Sequence, residues 1–251
     1  MSFSALGLSQ ALVNAVEAAG YTEPTPVQQK AVPAALQDKD LMVAAQTGTG
    51  KTASFALPIL QKLYIDDSSQ RPAPKAKQAR VLVLTPTREL AAQVHESFKL
   101  YAKELPLTSA CIYGGVGAGQ QIRALSKGVD VLVACPGRLL DLIGQKAIDL
   151  AEVDTLVLDE ADRMLDMGFI HDVKKILKLL PQQRQNLLYS ATFSNDIIKL
   201  TNRLLQNPLR IEVTPRNTTV ERIKQSFFRI TAPYKRALLA HLITQGAWEQ
   251  V

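Results

Sequence analysis

Cysteine and histidine are scarce in this chain, which has two cysteines and three histidines among 251 residues. Cys111 and Cys135 each lie in or at the end of a short apolar run. That placement is typical of reduced thiols in a cytosolic protein and not of a disulfide framework. The histidines lie far apart and lack the spacing of metal ligands, which argues against a zinc or haem site. They are His95, His171 and His241.

Long hydrophobic runs and an early cluster of basic residues are also missing. No apolar stretch approaches the length that a bilayer-spanning helix requires. The first Lys or Arg is Lys30, so the N-terminus lacks the basic start of a secretory signal peptide. It has instead the periodicity of an amphipathic helix, with its apolar residues largely on one face. We therefore expect a cytoplasmic protein with no membrane partner.

The composition that remains is that of a soluble folded protein, with 47% hydrophobic and 21% charged residues. These proportions differ from those of disordered chains. The length suffices for one large core, or for one full domain and part of another. The formal net charge of +6 permits a polyanionic partner, although many basic proteins bind none.

Short apolar runs alternate with helical stretches from residue 41 onward, and no internal repeat is present. Runs that are apolar at nearly every position indicate strands buried on both faces of a parallel sheet. The pattern predicts an α/β fold with a mostly parallel sheet and helices on both faces. The predicted strands are residues 41–45, 81–85, 109–113, 129–134, 155–158 and 186–189.

Two polar stretches interrupt this alternation. Residues 66–80 contain several charged residues and prolines, which is typical of a solvated surface loop. Residues 214–224 have the composition of an exposed linker. A strand-like segment over 225–230 and a helix-like segment over 233–245 follow. One strand and one helix cannot bury a core of their own, so residues 225–251 are predicted to be the truncated start of a second domain.

A phosphate-binding loop follows the first predicted strand. The glycines allow several backbone N–H groups to face phosphate oxygens, and the start of the next helix adds positive potential. The Lys side chain of such a loop reaches the β and γ phosphates, and the following Thr hydroxyl reaches Mg²⁺. The sequence therefore predicts a nucleoside triphosphate site. Its residues are Ala45, Gln46, Thr47, Gly48, Thr49, Gly50, Lys51 and Thr52, with Ala45 where a first glycine is usual.

Three carboxylates lie behind the predicted strand 155–158: Asp159, Glu160 and Asp162. Acids are common in a first helical turn, where the helix dipole favours them. In a sheet that carries a phosphate loop, however, an acid at the end of a neighbouring strand can hold Mg²⁺. We predict this role for Asp159, and we predict that Glu160 orients the attacking water. Asp162 is either a coupling residue or an ordinary helix-start acid.

With Asp-Glu-Ala-Asp at 159–162 behind a phosphate loop, the chain resembles the DEAD-box RNA helicases of superfamily 2. The resemblance is to their N-terminal core domain, a RecA-like P-loop domain, and it covers about residues 3–230. The sequence of residues 163–169, Arg-Met-Leu-Asp-Met-Gly-Phe, resembles that of the bacterial RhlE-like subgroup. The other motifs occur in the family's order, as Gly20 to Gln28, Pro86 to Ala91, Gly114-Gly115, Pro136-Gly137-Arg138 and Ser190-Ala191-Thr192.

The resemblance implies ATP and Mg²⁺ as ligands and assigns roles at the nucleotide. The carboxamide of Gln28 would read the adenine edge, since it can both donate and accept, and Tyr21 would stack on the base. Lys51, Asp159 and Glu160 would be the catalytic residues, with Thr52 and Asp159 on the metal. Asp162, Ser190 and Thr192 would link hydrolysis to unwinding.

The resemblance also implies RNA as a partner, bound through its backbone and without sequence preference. The family's RNA residues correspond to Pro86, Thr87, Arg88, Gly114, Gly115, Gly137 and Arg138. For two of these residues a role unrelated to RNA stays open: Arg88 forms a structural ion pair with Glu89, and Arg138 is an ordinary surface charge. Cys135 departs from the family's Thr before Pro-Gly-Arg, and a thiol is a poor hydrogen-bond partner.

The predicted organisation is an N-terminal helix and Q motif over 1–28, a helicase domain over 29–213, a linker over 214–224 and the truncated second domain over 225–251. The family's second domain supplies arginines that reach the γ-phosphate, and residues 225–251 contain no counterpart. We therefore expect an RNA helicase core that binds nucleotide but hydrolyses it poorly alone. The alternative is an ATP-gated RNA clamp, which would use the same residues.

Overall fold

The computed structural model describes residues 2–46, 48–66, 73–213 and 226–246. Thr47 of the phosphate loop and the predicted linker 214–224 lie outside these ranges. Backbone contacts divide the chain into two units, Met1–Thr214 and Pro215–Val251. The first unit carries every predicted site residue.

A parallel sheet forms the centre of the first unit. Its strands are β1 Leu41–Ala44, β2 Ala79–Leu84, β3 Ser109–Ile112, β4 Val129–Ala134, β5 Thr155–Leu158, β6 Gln185–Ser190 and β7 Leu209–Glu212. They follow one another across the sheet in the order β3-β4-β2-β5-β6-β1-β7, and every neighbouring pair is parallel. The predicted α/β class with a mostly parallel sheet is confirmed.

Helices connect the strands and cover the sheet. They are α1 Gln10–Ala18, α2 Pro26–Leu36, α3 Lys51–Asp66, α4 Arg88–Tyr101, α5 Gly119–Leu125, α6 Pro136–Gly144, α7 Ala161–Asp166, α8 Ile170–Leu177 and α9 Asn195–Leu204. A short 3₁₀ turn, Ser4–Leu6, precedes α1. Leu6, Leu8, Leu12, Val13 and Val16 of this N-terminal segment are all buried, as the predicted amphipathic pattern requires.

Two hydrophobic clusters, one on each face of the sheet, explain why the strands read as continuous apolar runs. Val81 and Val83 of β2 enter the cluster shared with α1 to α4. Leu82 and Leu84, the alternate residues of that strand, enter the cluster shared with α5 to α9. Successive side chains of a strand point to opposite faces, so both sets must be apolar when both faces are covered.

β7 was not predicted from the sequence. It lies at one edge of the sheet beside β1, and of its four residues only Ile211 is buried. An edge strand needs little apolar surface, so Leu209-Arg210-Ile211-Glu212 carries no run of the kind that marks the central strands.

The second unit is described over residues 226–246. The structure places a 3₁₀ turn at Ala232–Tyr234 and helix α10 at Lys235–Gly246, where residues 233–245 were predicted to be helical. The predicted strand over 225–230 is wrong for the described residues 226–230, which form no strand. The physical reason is that a single strand without a pairing partner leaves its backbone groups unsatisfied.

Candidate functional site

Except for Tyr21 and Gln28, which precede β1, the predicted site residues lie at the carboxyl edge of the sheet, at or after the ends of six strands. β1, β6 and β5 are neighbours in the sheet, and so are β2, β4 and β3. We call the segments that follow β1, β5 and β6 the P-loop half of the edge. The segments that follow β2, β3 and β4 form the arginine half, since they carry Arg88 and Arg138. The sheet order thus separates the predicted nucleotide residues from the predicted RNA residues.

The phosphate loop begins at Ala45, whose N–H donates to the Ser190 carbonyl at 3.1 Å. This bond continues the β1–β6 pairing beyond β1 and joins the loop to the Ser190-Ala191-Thr192 segment. The Thr49 hydroxyl donates to the Gln46 carbonyl at 2.7 Å. Gly48 and Gly50 have φ values of +81° and +87°, which L side chains rarely adopt. Helix α3 then begins at Lys51.

Lys51 is buried, with 7% of its surface exposed. Among the residues that the structure describes, its Nζ has no hydrogen-bond partner. Burying a neutral polar group without a hydrogen bond costs roughly 2–7 kcal/mol, and burying an unpaired ammonium costs more. The first turn of α3 also directs its free backbone N–H groups toward the same end. The loop and this lysine therefore fit a negatively charged ligand such as a phosphate chain.

Asp159 follows β5 and is only 2% exposed. Its N–H donates to the Leu84 carbonyl at 3.0 Å, and its Oδ1 accepts from the Glu160 N–H at 2.9 Å. Burial raises the pKa of Asp159 to about 6, while the positive charge of Lys51 opposes the rise. A buried carboxylate offers the oxygen ligand that Mg²⁺ prefers, and the nearby ammonium suits the phosphate that Mg²⁺ would accompany.

Glu160 precedes α7 with a left-handed backbone, φ +51°. A non-glycine residue in this region is uncommon and marks a constrained position. Its Oε2 lies 3.2 Å from Nη1 of Arg163, and the Glu160 side chain is 15% exposed. The carboxylate that was predicted to orient water is therefore held by a neighbouring arginine one helical turn away.

Asp162 joins α7 to the segment after β6. Its Oδ2 accepts from the backbone N–H groups of Ala191 and Thr192 at 3.1 and 3.0 Å and from the Thr192 hydroxyl at 3.1 Å. Ser190 bonds elsewhere, because its hydroxyl donates to the Thr192 carbonyl at 2.7 Å. Asp162 is also an acid in the first turn of α7. Asp162 is thus both a helix-start acid and a contact of the Ala191-Thr192 segment, and its coupling role stays a prediction.

Gln28 lies in the first turn of α2 and is 3% exposed. Its Oε1 accepts from the Thr25 N–H at 3.0 Å, which helps to cap the helix. Its Nε2 donates to the Gly50 carbonyl at 3.1 Å, so the side chain contacts the phosphate loop. Tyr21 is 48% exposed. Its hydroxyl lies beside that of Tyr101, where burial and the Tyr21 hydroxyl together raise the pKa of Tyr101.

In the arginine half, Thr87 caps α4 by accepting from the Leu90 N–H at 3.2 Å through its hydroxyl. Pro86 before it is buried. Arg88 Nε lies 2.6 Å from Glu89 Oε1, and both side chains are more than half exposed. The ion-pair alternative for Arg88 is therefore present, in a form that water screens strongly.

The loop after β3 lies against both arginines. Gly115 has φ +80°, and a Cβ there would lie 3.5 Å from Arg88 Nη1. Nη2 of Arg138 donates to the Val116 carbonyl at 2.8 Å. The Arg138 side chain is 12% exposed, with Nε 3.5 Å from Asp141, so it is not a plain surface charge. Gly114 and Gly137 are exposed, which leaves their backbone groups accessible to a ligand.

Cys135 precedes α6 and makes no side-chain cap bond to that helix. Its Sγ lies 4.0 Å from the Thr85 hydroxyl, and burial raises the pKa of its thiol. A protonated, half-buried thiol at this distance is a weak hydrogen-bond partner. The departure from the family's Thr thus has the consequence that the sequence indicated.

Comparison with known proteins places the chain in a family. The family model described as DEAD/DEAH box helicase matches residues 25–200. The chain belongs to the DEAD/DEAH box helicase family. It is 39% identical over 246 residues to the DEAD-box ATP-dependent RNA helicase RhpA of Helicobacter pylori, covering 98% of this chain and 48% of that protein.

Other relatives agree with the helicase assignment. The chain is 42% identical over 245 residues to the ATP-dependent rRNA helicase RRP3 of Meyerozyma guilliermondii, with 97% of this chain and 50% of that protein covered. The crystal structure of a DEAD box protein from the hyperthermophile Methanococcus jannaschii superposes with a TM-score of 0.77 at 34% identity, covering 97% of this chain and 63% of that one. The predicted RecA-like fold is confirmed, and the chain spans about half the length of the curated relatives it matches.

Sequence reasoning missed several contacts of this helicase domain. The i, i+3 spacing of Glu160 and Arg163 is a signal that could have predicted their pairing. Gln121 accepts from the Tyr113 N–H at 3.2 Å and donates to its carbonyl at 3.1 Å, which fixes the start of the Gly114-Gly115 loop. No local pattern indicates that bond. In the described ranges, no helix has the length and apolar character of a membrane span.

Proposed function

We propose that this chain is the ATP-binding half of an RNA helicase, which couples RNA-dependent ATP hydrolysis to local opening of RNA duplexes. One observation carries the proposal. Lys51, buried at the start of α3 and with no hydrogen-bond partner for its ammonium among the described residues, lies near Asp159, buried directly after β5. Family membership and the helicase functions of the relatives named above support the same activity.

At the nucleotide, we propose that the backbone of residues 45–50, Thr47 included, and the ammonium of Lys51 bind the phosphates. Thr52 and Asp159 would hold Mg²⁺, which takes oxygen ligands and usually completes its shell with water and substrate phosphates. The bound metal would neutralise charge on the transferring phosphoryl group. Buried Asp159 is suited to this role because a cation at its carboxylate would favour the charged form.

Glu160 would orient the attacking water, and its release from Arg163 would precede that step. Phosphoryl transfer depends mainly on positioning and on electrostatic stabilisation, so the orientation of one carboxylate matters. Gln28 and Tyr21 would recognise the adenine. Since Gln28 retains one N–H and one acceptor lone pair beyond its two bonds, it can contact a base while it still contacts Gly50.

In the arginine half, we propose that the residues around Thr87, Gly115 and Gly137 bind RNA phosphates, with Arg88 and Arg138 adding positive charge. Pro86 and Gly114 complete these segments. Backbone contacts carry no base information, so binding would be independent of sequence and sensitive to salt. Asp162, Ser190 and Thr192 would couple hydrolysis to unwinding, because the bonds of Asp162 to Thr192 link α7 to the segment that follows β6, and Ser190 bonds within that segment.

The proposed domain organisation follows the sequence: an N-terminal helix and Q motif over 1–28, the helicase domain over 29–213, the linker over 214–224 and the start of a second helicase domain over 225–251. A cytoplasmic location and the RhlE-like subgroup stay predictions of the sequence. Arginines of a complete second domain would supply charge at the γ-phosphate. Without them the present chain would bind nucleotide and hydrolyse it slowly.

Strand displacement tests this proposal. A chain extended by the second half that the relatives possess is assayed for RNA-stimulated ATPase activity and for release of a short labelled RNA strand. We expect both activities, and we expect Glu160→Gln to abolish both while it leaves ATP binding intact. Retention of RNA on addition of ATP, without displacement, would favour the clamp alternative. Efficient RNA-stimulated turnover by residues 1–251 alone would contradict the proposed need for a second domain.

A further inference from the structure

Tyr189 makes a buried hydrogen bond that none of the proposed roles uses. It lies in β6, one residue before Ser190, and is fully buried. Its ring packs edge-on against Phe55 of α3, with centroids 5.1 Å apart and an interplanar angle of 63°. Its Oη lies 3.1 Å from Oγ of Ser54, which is also fully buried.

The bond connects Tyr189 to the turn that carries the phosphate-loop lysine. Ser54 Oγ lies 2.6 Å from the Lys51 carbonyl and donates to it. A hydroxyl has one proton and a carbonyl can only accept, so the Tyr189 hydroxyl is left as the donor to Ser54. We call this chain of two hydrogen bonds, from Tyr189 through Ser54 to the Lys51 carbonyl, the Tyr189 bridge.

The strand register places the bridge beside Asp159. Leu158 of β5 pairs with Leu188 of β6, so the next residues along, Asp159 and Tyr189, also lie side by side. Side chains at the same register of neighbouring strands point to the same face. Burial raises the pKa of Tyr189 and the Asp159 carboxylate adds to the rise, while the hydrogen bond with Ser54 opposes it. The phenol therefore keeps its proton and remains a donor at physiological pH.

We propose that the Tyr189 hydroxyl is a positioning group of the nucleotide site, which holds the first turn of α3, with Lys51 and Thr52, in place relative to Asp159. The inference rests on the proposed nucleotide-binding function. A hydroxyl that only satisfies the core would contribute to folding stability and nothing else. A positioning hydroxyl also sets the affinity for the phosphates, because precise placement of charged groups is what phosphate binding requires.

The test compares ligands that do and do not reach this turn. In Tyr189→Phe, which keeps the ring and removes only the oxygen, we expect the Kd for Mg·ATP to rise about fivefold, the value of one typical hydrogen bond. The Kd for AMP, whose single phosphate cannot span the loop, should stay within about twofold. Fluorescence titration of the folded 251-residue chain measures both. Tyr64→Phe, at the far end of α3, is the matched control and should change neither.

A double-mutant cycle identifies the partner. Ser54→Ala should weaken Mg·ATP binding as Tyr189→Phe does, and the double variant should be no weaker than either single one, since both remove the same bridge. An unchanged Mg·ATP affinity in Tyr189→Phe, or an equal loss for ATP and AMP, would overturn the bridge as a positioning element. If Lys51→Ala still abolishes binding in that case, the proposed function stands. Failure of the unaltered chain to bind Mg·ATP would overturn both.

Discussion

The two halves of the carboxyl edge use their charges in opposite ways. In the P-loop half, Lys51 and Asp159 are 7% and 2% exposed. In the arginine half, Arg88 and Glu89 pair on the surface with more than half of each side chain exposed. Arg138 lies between these extremes. Buried charges interact strongly and specifically, whereas exposed ones are screened.

The difference fits two kinds of ligand. A nucleotide is small and must be held in one geometry, so a site with preorganised, desolvated groups suits it. A nucleic acid backbone is long and repetitive, so it is bound by many weak contacts that can be exchanged. Single substitutions in the P-loop half are therefore expected to change ligand affinity strongly, and those in the arginine half to change it weakly.

The largest expected effect is the loss of nucleotide binding in Lys51→Ala. Removal of the only ammonium group of the loop should weaken Mg·ATP binding by about a hundredfold or more, since charge-assisted bonds to phosphate contribute roughly 2–3 kcal/mol. Isothermal titration of the 251-residue chain measures the change. Arg138→Ala, the control from the other half, should leave nucleotide affinity unaltered, and an equal loss there would remove the distinction between the halves.

The next effect concerns stability and follows from the raised pKa of Asp159, about 6 in the folded chain against 3.8 normally. The folded state binds a proton more tightly than the unfolded state, so stability falls as pH rises from about 4 to about 6. Asp159→Asn should abolish that fall and raise the free energy of unfolding at pH 7 by of order 1–3 kcal/mol.

Urea denaturation at several pH values, without Mg²⁺, measures this effect. The difference between Asp159→Asn and the unaltered chain should vanish below about pH 4, where the carboxyl is protonated in both states. Asp196→Asn, an exposed acid in α9, serves as the control and should show no such dependence. Greater stability of the unaltered chain at pH 7 would contradict the cost assigned to burying Asp159.

A smaller effect is expected for Arg138→Ala on RNA. Loss of one phosphate contact should weaken binding about three- to tenfold and lower the slope of log K against log salt by about one. The loss should be the same for RNAs of different sequence. Fluorescence anisotropy with two unrelated single strands, at several salt concentrations, provides the measurement. A loss confined to one sequence would point to base recognition instead.

The smallest effect is expected for Glu89→Gln. Both partners of its ion pair are exposed, so stability should change by less than about 0.5 kcal/mol. RNA affinity should rise slightly, about two- to threefold, because a negative charge beside the phosphate path is removed and Arg88 is released. Thermal unfolding and anisotropy test the two statements. A marked loss of stability would mean that the arginine half is more rigidly organised than its exposure indicates.

Local pattern was sufficient for much of the fold. The central strands are apolar on both faces, so β2, β4 and β5 stand out as continuous runs. β7 could not be found, since an exposed edge strand needs no such run. The order of the strands, and hence the division into two halves, depends on contacts between distant segments. Motif spacing predicted which residues reach the edge, but not that β6 lies between β1 and β5.

The site shows the same limit at the level of single atoms. The types of residue in the phosphate loop and in Asp159-Glu160 follow from the chemistry of phosphates and metals. Their partners do not: nothing near Gln28 in the sequence indicates a bond to Gly50, 22 positions away. Arg138 is a second example, because its partner Val116 also lies 22 positions away in the sequence.

The bond from Gln28 to the Gly50 carbonyl affects how substitutions at Gln28 must be interpreted. A Cβ on residue 50 would lie 2.4 Å from Gln28 Nε2, so the glutamine and the glycine occupy complementary space. Any variant of Gln28 alters the loop that holds the phosphates as well as the group that would face the base. A loss of ATP affinity in such a variant is therefore no measure of adenine selectivity, which only the ratio of ATP to GTP affinity can report.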